Sequence, residues 1–368
     1  MRKEASPLPP RRLALVTHLD PEDESSWSGV PVGLRAGMAA CEVELVPVRA
    51  RLKGLGKVTH RLGLGQAEIA ANDAIAVATG LAAGTSLWRR RHDLDGVLRV
   101  GSGFELATSL PVVTLDDMTV PQAIDQPGSE YASLGEAARR RWIDRQNRAM
   151  RRARACCLAS AWAAESAVDD LGVPARKTRV VGFGSNFPAL ELERDWSTPH
   201  FLFVGFDWDR KRGDDVLRSF AAVRAEHPDA TLDLVGGHPR VDAPGVTGHG
   251  RLSLASPNER ERVMALFSAA TCFVMPSRFE PFGIAYVEAG MAGLASIGTT
   301  VGGAATAVGE GGILVNPDDP PALTEAMRIL AQPAEAARLG GLAAAHAADL
   351  SWPAVARRIL EAFAPPPG

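Results

Sequence analysis

The chain has 368 residues, 46% of them hydrophobic, and a formal net charge of −3. That length suits two domains with ample core, and the charge excludes a generally basic nucleic-acid binder. No apolar stretch approaches the roughly 18 uncharged residues of a membrane span. Cys41, Cys156, Cys157 and Cys272 lack metal-type spacing and sit in apolar or strand-like runs, as buried thiols of a reducing compartment do. Met1–Pro10 is polar and proline-rich, unlike a signal peptide, so a cytoplasmic protein with an unstructured tail is expected.

Arg12–Thr17 is apolar and predicts a strand. His18–Val30 follows as a long polar loop, Pro31–Ala40 as a helix and Glu42–Val48 as a second strand, the order that begins a parallel sheet. Ligands of such sheets bind at the carboxyl ends of strands, where this loop lies. Gly29 would let a ligand approach the backbone, or serve an ordinary turn. Ala67–Ala83 is alanine-rich and predicts one helix, and Asp95–Val100 a strand. Gly101-Ser-Gly103 begins a G-x-G-x-x-G pattern whose third position is Leu106, so it reads as a turn at the sheet edge. Leu110–Leu115 is the next strand, closed by Asp116 and Asp117, which suit an N-cap.

Glu136–Ala155 predicts a helix on which Arg141, Arg145, Arg148 and Arg152 share one face. A solvated face paired with local Glu and Asp is the favoured reading, and contact with an anionic membrane surface the alternative. Ala155–Ala159 is a strand, and Ser160 caps a helix that runs to Val168. Phe187–Pro199 reads as a linker between domains. The second half opens on the strand ending at Gly205, followed by a polar turn with Arg210 and Lys211 and a helix over Asp214–Glu226, with Arg212 expected exposed. Thr231–Gly237 is a strand and Val246–Arg251 a loop in which His249 is a bystander. A helix over Asn258–Ala270 and a strand over Thr271–Met275 follow. Leu294–Ile297 and Gly312–Pro317 are further strands, and Pro321–Leu330 and Ser351–Phe363 helices.

Between these lies Ser277–Gly293. Pro276 ends the strand, Glu280-Pro-Phe-Gly283 turns, and a helix runs to Met291. Glu280 stands ahead of its N-terminus and Glu288 about 7–8 Å along its axis. The free N–H groups of a helix end attract anions, whereas carboxylates accept hydrogen bonds from hydroxyls. The pair therefore implies a ligand carrying both phosphate and polyol. Glu280, seven residues and Glu288, within Ser-x-x-Glu-Pro-Phe-Gly-Ile-x-x-x-Glu-Ala, resemble the E-x7-E motif of retaining glycosyltransferases of family 4.

The resemblance covers nearly the whole chain and is weakest over 50–110. It implies a GT-B fold, α/β, with two Rossmann-like parallel-sheet domains facing across a cleft. Residues 1–190 would form the acceptor side and 191–345 the nucleotide-sugar side, with 346–368 a helix returning to the first domain. It implies metal-independent transfer, with retention, from a UDP- or GDP-sugar to an acceptor sugar, lipid or small molecule, with no cofactor beyond the donor. Lys211 matches the lysine that holds the donor diphosphate, and Arg210 would assist it. Phe282, Gly283 and Ile284 would supply N–H groups, Glu280 would hold sugar hydroxyls, and Glu288 the ribose. Trp27-Ser-Gly29 resembles the loop beside the diphosphate, Gly250 and Arg251 the loop near the base, and Asp116 and Asp117 the strand end that faces the acceptor. Three positions depart from the pattern: Phe206 replaces an arginine, Asp116 a histidine and Thr306 a glutamate. They motivate a second reading, a catalytically degenerate GT-B protein that binds a nucleotide sugar or a protein partner without turnover. An NAD-dependent oxidoreductase would need the glycine fingerprint that Gly101–Leu106 does not complete.

Overall fold

The run that begins at Arg12 forms strand β1 (Arg12–Thr17), buried from Leu13 onward. Burial on both faces is what a central strand of a parallel sheet requires. Accordingly β1 lies between β2 (Glu44–Arg49) and β3 (Gly96–Val100), parallel to both. This computed structural model describes residues 10–18, 20–22, 26–50, 65–126, 128–190 and 193–364. Most of the expected tail, parts of the polar loop after β1, the stretch 51–64 and part of the expected linker lie outside the described residues. The chain divides into two compact units: one runs to Val181 and resumes at Trp352, and the other is Gly182–Ser351.

The first unit holds a six-stranded parallel sheet, which adds β4 (Val112–Asp116), β5 (Ala155–Leu158) and β6 (Thr178–Val180) in the order β2-β1-β3-β4-β5-β6. Helix α1 (Val30–Ala40) connects β1 to β2. The alanine-rich stretch is two helices rather than the single one expected, α2 (Gln66–Ala71) and α3 (Asp73–Arg90). Asn72 breaks it: its backbone is extended and its Oδ1 accepts from Ile75 N at 3.0 Å, capping α3. Helices α4 (Val120–Asp125) and α5 (Glu136–Arg152) join β4 to β5, and α6 (Ala161–Asp169), capped by Ser160, joins β5 to β6. Cys156 and Cys157 are buried free thiols on β5, which burial holds in the protonated form.

The second unit holds β7 (His200–Gly205), β8 (Thr231–Gly236), β9 (Val246–Gly248), β10 (Cys272–Val274), β11 (Ala295–Thr299) and β12 (Gly312–Val315), all parallel, in the order β12-β11-β10-β7-β8-β9. Its helices are α7 (Gly213–Glu226), α8 (Pro257–Ala269), α9 (Ile284–Met291), α10 (Ala304–Val308), α11 (Pro320–Leu330) and α12 (Pro333–Ala348). Phe201 and Phe203 of β7, Phe220 of α7, Ile297 of β11 and Met327 of α11 form one buried core. Helix α12 is not among the elements expected from the sequence. Its small residues allow close packing instead: a Cβ on Gly340 would lie 2.3 Å from the carbonyl oxygen of Gly293. Among the described residues no helix is long and apolar enough to cross a membrane.

The last helix, α13 (Trp352–Glu361), packs in the first unit against α1. Two glycines one turn apart on α1 make room: a Cβ on Gly33 would lie 2.0 Å from the Trp352 indole, and one on Gly37 2.3 Å from the Trp352 carbonyl oxygen. A backbone atom cannot rotate away as a side chain can. Gly37→Ala is therefore expected to destabilise the chain by about 1–2 kcal/mol, overpacking outweighing the roughly 1 kcal/mol gain in helix propensity. A lower urea midpoint at unchanged slope would show this, and an unchanged or higher midpoint would refute the tight crossing.

Candidate functional site

The second sheet reverses its strand order between β7 and β10, and open α/β sheets bind ligands at such a switch point. The two segments that leave these strands are fastened together. After β7 the chain turns tightly, with Lys211 N donating to Asp207 O at 2.9 Å and Arg210 N to Asp207 Oδ1 at 3.1 Å. After β10, Arg278 N donates to Arg210 O at 2.7 Å and Arg278 Nε to Asp209 O at 3.3 Å. Arg212 is half-buried rather than exposed as expected, because it adopts a left-handed conformation (φ 61°) ahead of α7 and pairs with Asp215 at 2.6 Å.

Glu280 is the hub of this junction. Its Oε2 accepts from Lys211 Nζ, from Ser277 Oγ at 3.2 Å and from Arg210 NH1 at 3.4 Å. Glu280 is 7% exposed and Lys211 8%. Burial pushes the Glu280 carboxyl up, but Lys211 and Arg210 outweigh it and hold it below the usual carboxylate range. Burial also pulls the Lys211 ammonium down, against the attraction of Glu280. Arg210 is held further by the Phe279 carbonyl at 3.1 Å and lies over the Phe279 ring. The Glu280 backbone is clamped as well: its N–H donates to Val301 O at 3.1 Å and its carbonyl accepts from Gly303 N at 2.8 Å. Only glycine fits at 302, where φ is 97° and a Cβ would lie 2.4 Å from Glu280 O.

Gly283 (φ 89°) opens α9, and Tyr286 in its first turn donates to Met275 O at 2.6 Å, tying the helix to the end of β10. Phe282 and Ile284 flank it and are buried, Phe282 edge-on to Phe183 at 5.3 Å. Glu288 is 6% exposed and accepts from Asn186 Nδ2 at 2.9 Å. Burial pushes its carboxyl up to about 7, with Asn186 opposing. Nearby in sequence to β9, Gly250 (φ 68°) donates its N–H to His238 Nε2 at 2.8 Å, and Arg251 lies over the Phe206 ring. Phe206 itself is 59% exposed. His249 is bound to Asp233 at 2.7 Å, an acceptor it shares with His200, so it braces β8 and β9. Ser277 and Asn186, which orient the two glutamates, were not singled out as site residues by sequence reasoning. Ser277 could have been found as the hydroxyl three residues ahead of Glu280.

In the first unit, Trp27 (φ 47°), Ser28 (φ 53°) and Gly29 (φ 82°) are consecutive left-handed residues leading into α1, a backbone strain that collects at functional loops. Trp27 Nε1 donates to Asp117 Oδ2 at 3.1 Å, and burial pushes the Asp117 carboxyl up to about 7. Asp116 is turned inward: its Oδ1 accepts from both N and Oγ of Ser102 at 2.7 Å, and Gln146 in turn donates to Ser102 Oγ at 2.8 Å. The four arginines of α5 do not form one common exposed face. Arg141 and Arg145 pair with Asp73 at 3.0 and 2.7 Å, Arg148 and Arg152 with Glu105 at 2.8 and 2.7 Å, and Arg145 is 3% exposed because α5 packs against α2.

Residues 198–332 match the family model described as Glycosyl transferases group 1. The D-inositol 3-phosphate glycosyltransferase of Streptomyces avermitilis is 33% identical over 193 residues, 47% of this chain; the match spans only 41% of that relative's length. Sucrose-phosphate synthase from Thermosynechococcus elongatus superposes with a TM-score of 0.67 over 94% of this chain and 96% of its own, at 22% identity. Anabaena HepE, solved in complex with UDP and glucose, superposes with a TM-score of 0.62 over 95% and 98%, at 14% identity. The chain thus has the GT-B fold of two Rossmann-like domains, and the segment bearing Arg210, Lys211, Glu280 and Glu288 is the one whose sequence matches glycosyl transferases group 1.

Proposed function

We propose that the chain is a glycosyltransferase that moves a sugar from a UDP- or GDP-sugar to a hydroxyl of an acceptor, with retention of configuration and without a metal. The observation that carries this reading is the buried Lys211–Glu280 pair, with Arg210, at the switch point of the second sheet and inside the family match. The second unit takes the donor and the first the acceptor. Lys211, Arg210 and the N–H groups at Phe282, Gly283 and Ile284 bind the diphosphate. Glu280 then accepts from sugar hydroxyls, and Glu288 from the ribose. Within the second unit Gly250 and Arg251 serve the base, and within the first Asp117 serves the acceptor hydroxyl.

In the reaction, the bond from the anomeric carbon to the diphosphate oxygen breaks and its electron pair stays on the diphosphate. The acceptor oxygen bonds the anomeric carbon from the same face and its proton passes to the departing phosphate oxygen. The cations stabilise the charge that develops on the leaving group, in a site fixed before the donor arrives. Histidine is not required for that step, which accommodates the inward-turned Asp116.

The test is time-dependent release of UDP or GDP from a panel of sugar nucleotides with sugar, lipid and small-alcohol acceptors. Release by the wild-type chain, reduced about a hundredfold or more in Lys211→Met, is expected. Donor binding without turnover for every acceptor would favour the non-catalytic reading that Phe206, Asp116 and Thr306 motivate. Lys211→Met also strips a buried carboxylate of its nearest cation, so a loss of roughly 3–5 kcal/mol is expected. Adding Glu280→Gln should restore most of the Tm and none of the turnover; recovered turnover would remove Lys211 from the chemistry.

The Glu288 carboxyl, at about 7, gives a second test. Ribose hydroxyls donate to the ionised form, so binding favours proton loss and affinity for a sugar nucleotide should rise as pH passes upward through about 7. The donor's own diphosphate has no proton to lose in that range. Glu288→Gln should flatten the rise; an equal slope in that variant would contradict the ribose assignment.

A further inference from the structure

Helix α3 is seated with its small residues inward. Ala76, Thr79, Gly80, Ala83 and Leu87 are its buried positions, whereas Val77, Leu81 and Trp88 are 59%, 61% and 64% exposed. At about 100° per residue these three fall within about 40° of one another, so they form one outward stripe roughly 16 Å long. Thr85, exposed on the same side, donates its Oγ1 to the Leu81 carbonyl at 2.9 Å and so spends its hydroxyl within the helix. A surface helix ordinarily turns its large apolar side chains inward, and a row of them facing out marks a docking surface.

The charges at its two ends say what covers it. Arg89 and Arg90 are exposed, and Arg91 lies over the Trp88 ring at 4.6 Å. Of the acids in the turn that follows, Asp93 is exposed and Asp95 is taken by the backbone N–H groups of Arg11 and Arg12. At the other end Asp73, the one acid of α3, is shared by Arg145 at 2.7 Å and Arg141 at 3.0 Å, so cations prevail there too. A second copy of the helix is a poor match: packed parallel it would set Arg89–Arg91 against themselves, and packed antiparallel it would set them against Arg141. An anionic bilayer surface meets both features at once, taking the apolar stripe into the acyl boundary, the arginines among the headgroups and the amphipathic indole between them. We propose that α3 docks the first unit on an anionic membrane surface, with Val77, Leu81 and Trp88 inserted and Arg89, Arg90 and Arg91 on the lipid phosphates. The surface is independent of the donor machinery in the other unit.

The test is flotation of the full chain with vesicles of phosphatidylcholine alone or mixed equally with phosphatidylglycerol. Binding to the mixed vesicles should be about tenfold or more tighter than to phosphatidylcholine alone, and should weaken as salt is raised from about 0.1 to about 0.5 M. Leu81→Gln should weaken it about tenfold, and the double variant Arg89→Gln/Arg90→Gln about thirtyfold. All three positions are exposed, so both variants should keep the wild-type Tm. Arg240→Gln, at an exposed position of the second unit, should change nothing. Absence of binding to the mixed vesicles, equal binding to the two compositions, full affinity in either α3 variant or an equal loss in Arg240→Gln would overturn the proposal. A dimer in sedimentation velocity that Leu81→Gln dissociates, with the vesicles left unbound, would overturn it in favour of a second copy.

Discussion

A carboxylate that is almost fully buried has to be neutralised, and in the second unit that requirement organises everything around Glu280. Its charge is held by Lys211, Arg210 and Ser277, which come from the turn after β7 and the segment after β10. These elements meet only because β7 and β10 are neighbours at the point where the strand order reverses. The backbone bonds from Arg278 to Arg210 and from Gly303 to Glu280 fix the two segments before any ligand is present. Removing one member of such a group exposes the rest to an uncompensated charge, so its geometry is protected by stability as well as by function.

The two units use this logic differently. In the second, the charged residues beyond the sheet are paired yet close to a helix N-terminus, an arrangement that can exchange one anion for another. In the first, the corresponding strand end is closed by Ser102 around Asp116, and the strained Trp27–Gly29 loop leans on Asp117. At this end of the first sheet the described contacts are an indole, a serine and backbone around two carboxylates, rather than a buried cation–carboxylate pair.

The fold was legible because both sheets announce themselves by short, buried, β-branched runs separated by helices. β1 occupies Arg12–Thr17 as read from the sequence, and the strands ending at Gly205 and near Val274 fall within a residue or two of expectation. What escaped were features set by partners distant in sequence. Asn72 splits an alanine-rich helix through a cap that composition alone does not reveal. Arg145 belongs to a periodic stripe but is buried by its neighbour helix and by Asp73. Helix α12 has alanine and glycine on every side and so little amphipathic contrast to notice. At the candidate site, spacing within Ser277–Gly293 drew attention to Glu280 and Glu288, and a short polar turn to Lys211. That Glu280 and Lys211 bond each other, 69 residues apart, follows from strand order and from no local pattern.

The claim at the centre of this account is that the Glu280–Lys211 pair is a donor site in its resting arrangement. It is tested most directly by a crystal structure of the chain with a non-hydrolysable UDP- or GDP-sugar. The account predicts Lys211 Nζ on a diphosphate oxygen, Glu280 accepting from hydroxyls of the sugar, and Glu288 accepting from the ribose. A nucleotide sugar bound elsewhere, with Lys211 still engaged only by Glu280, would contradict it.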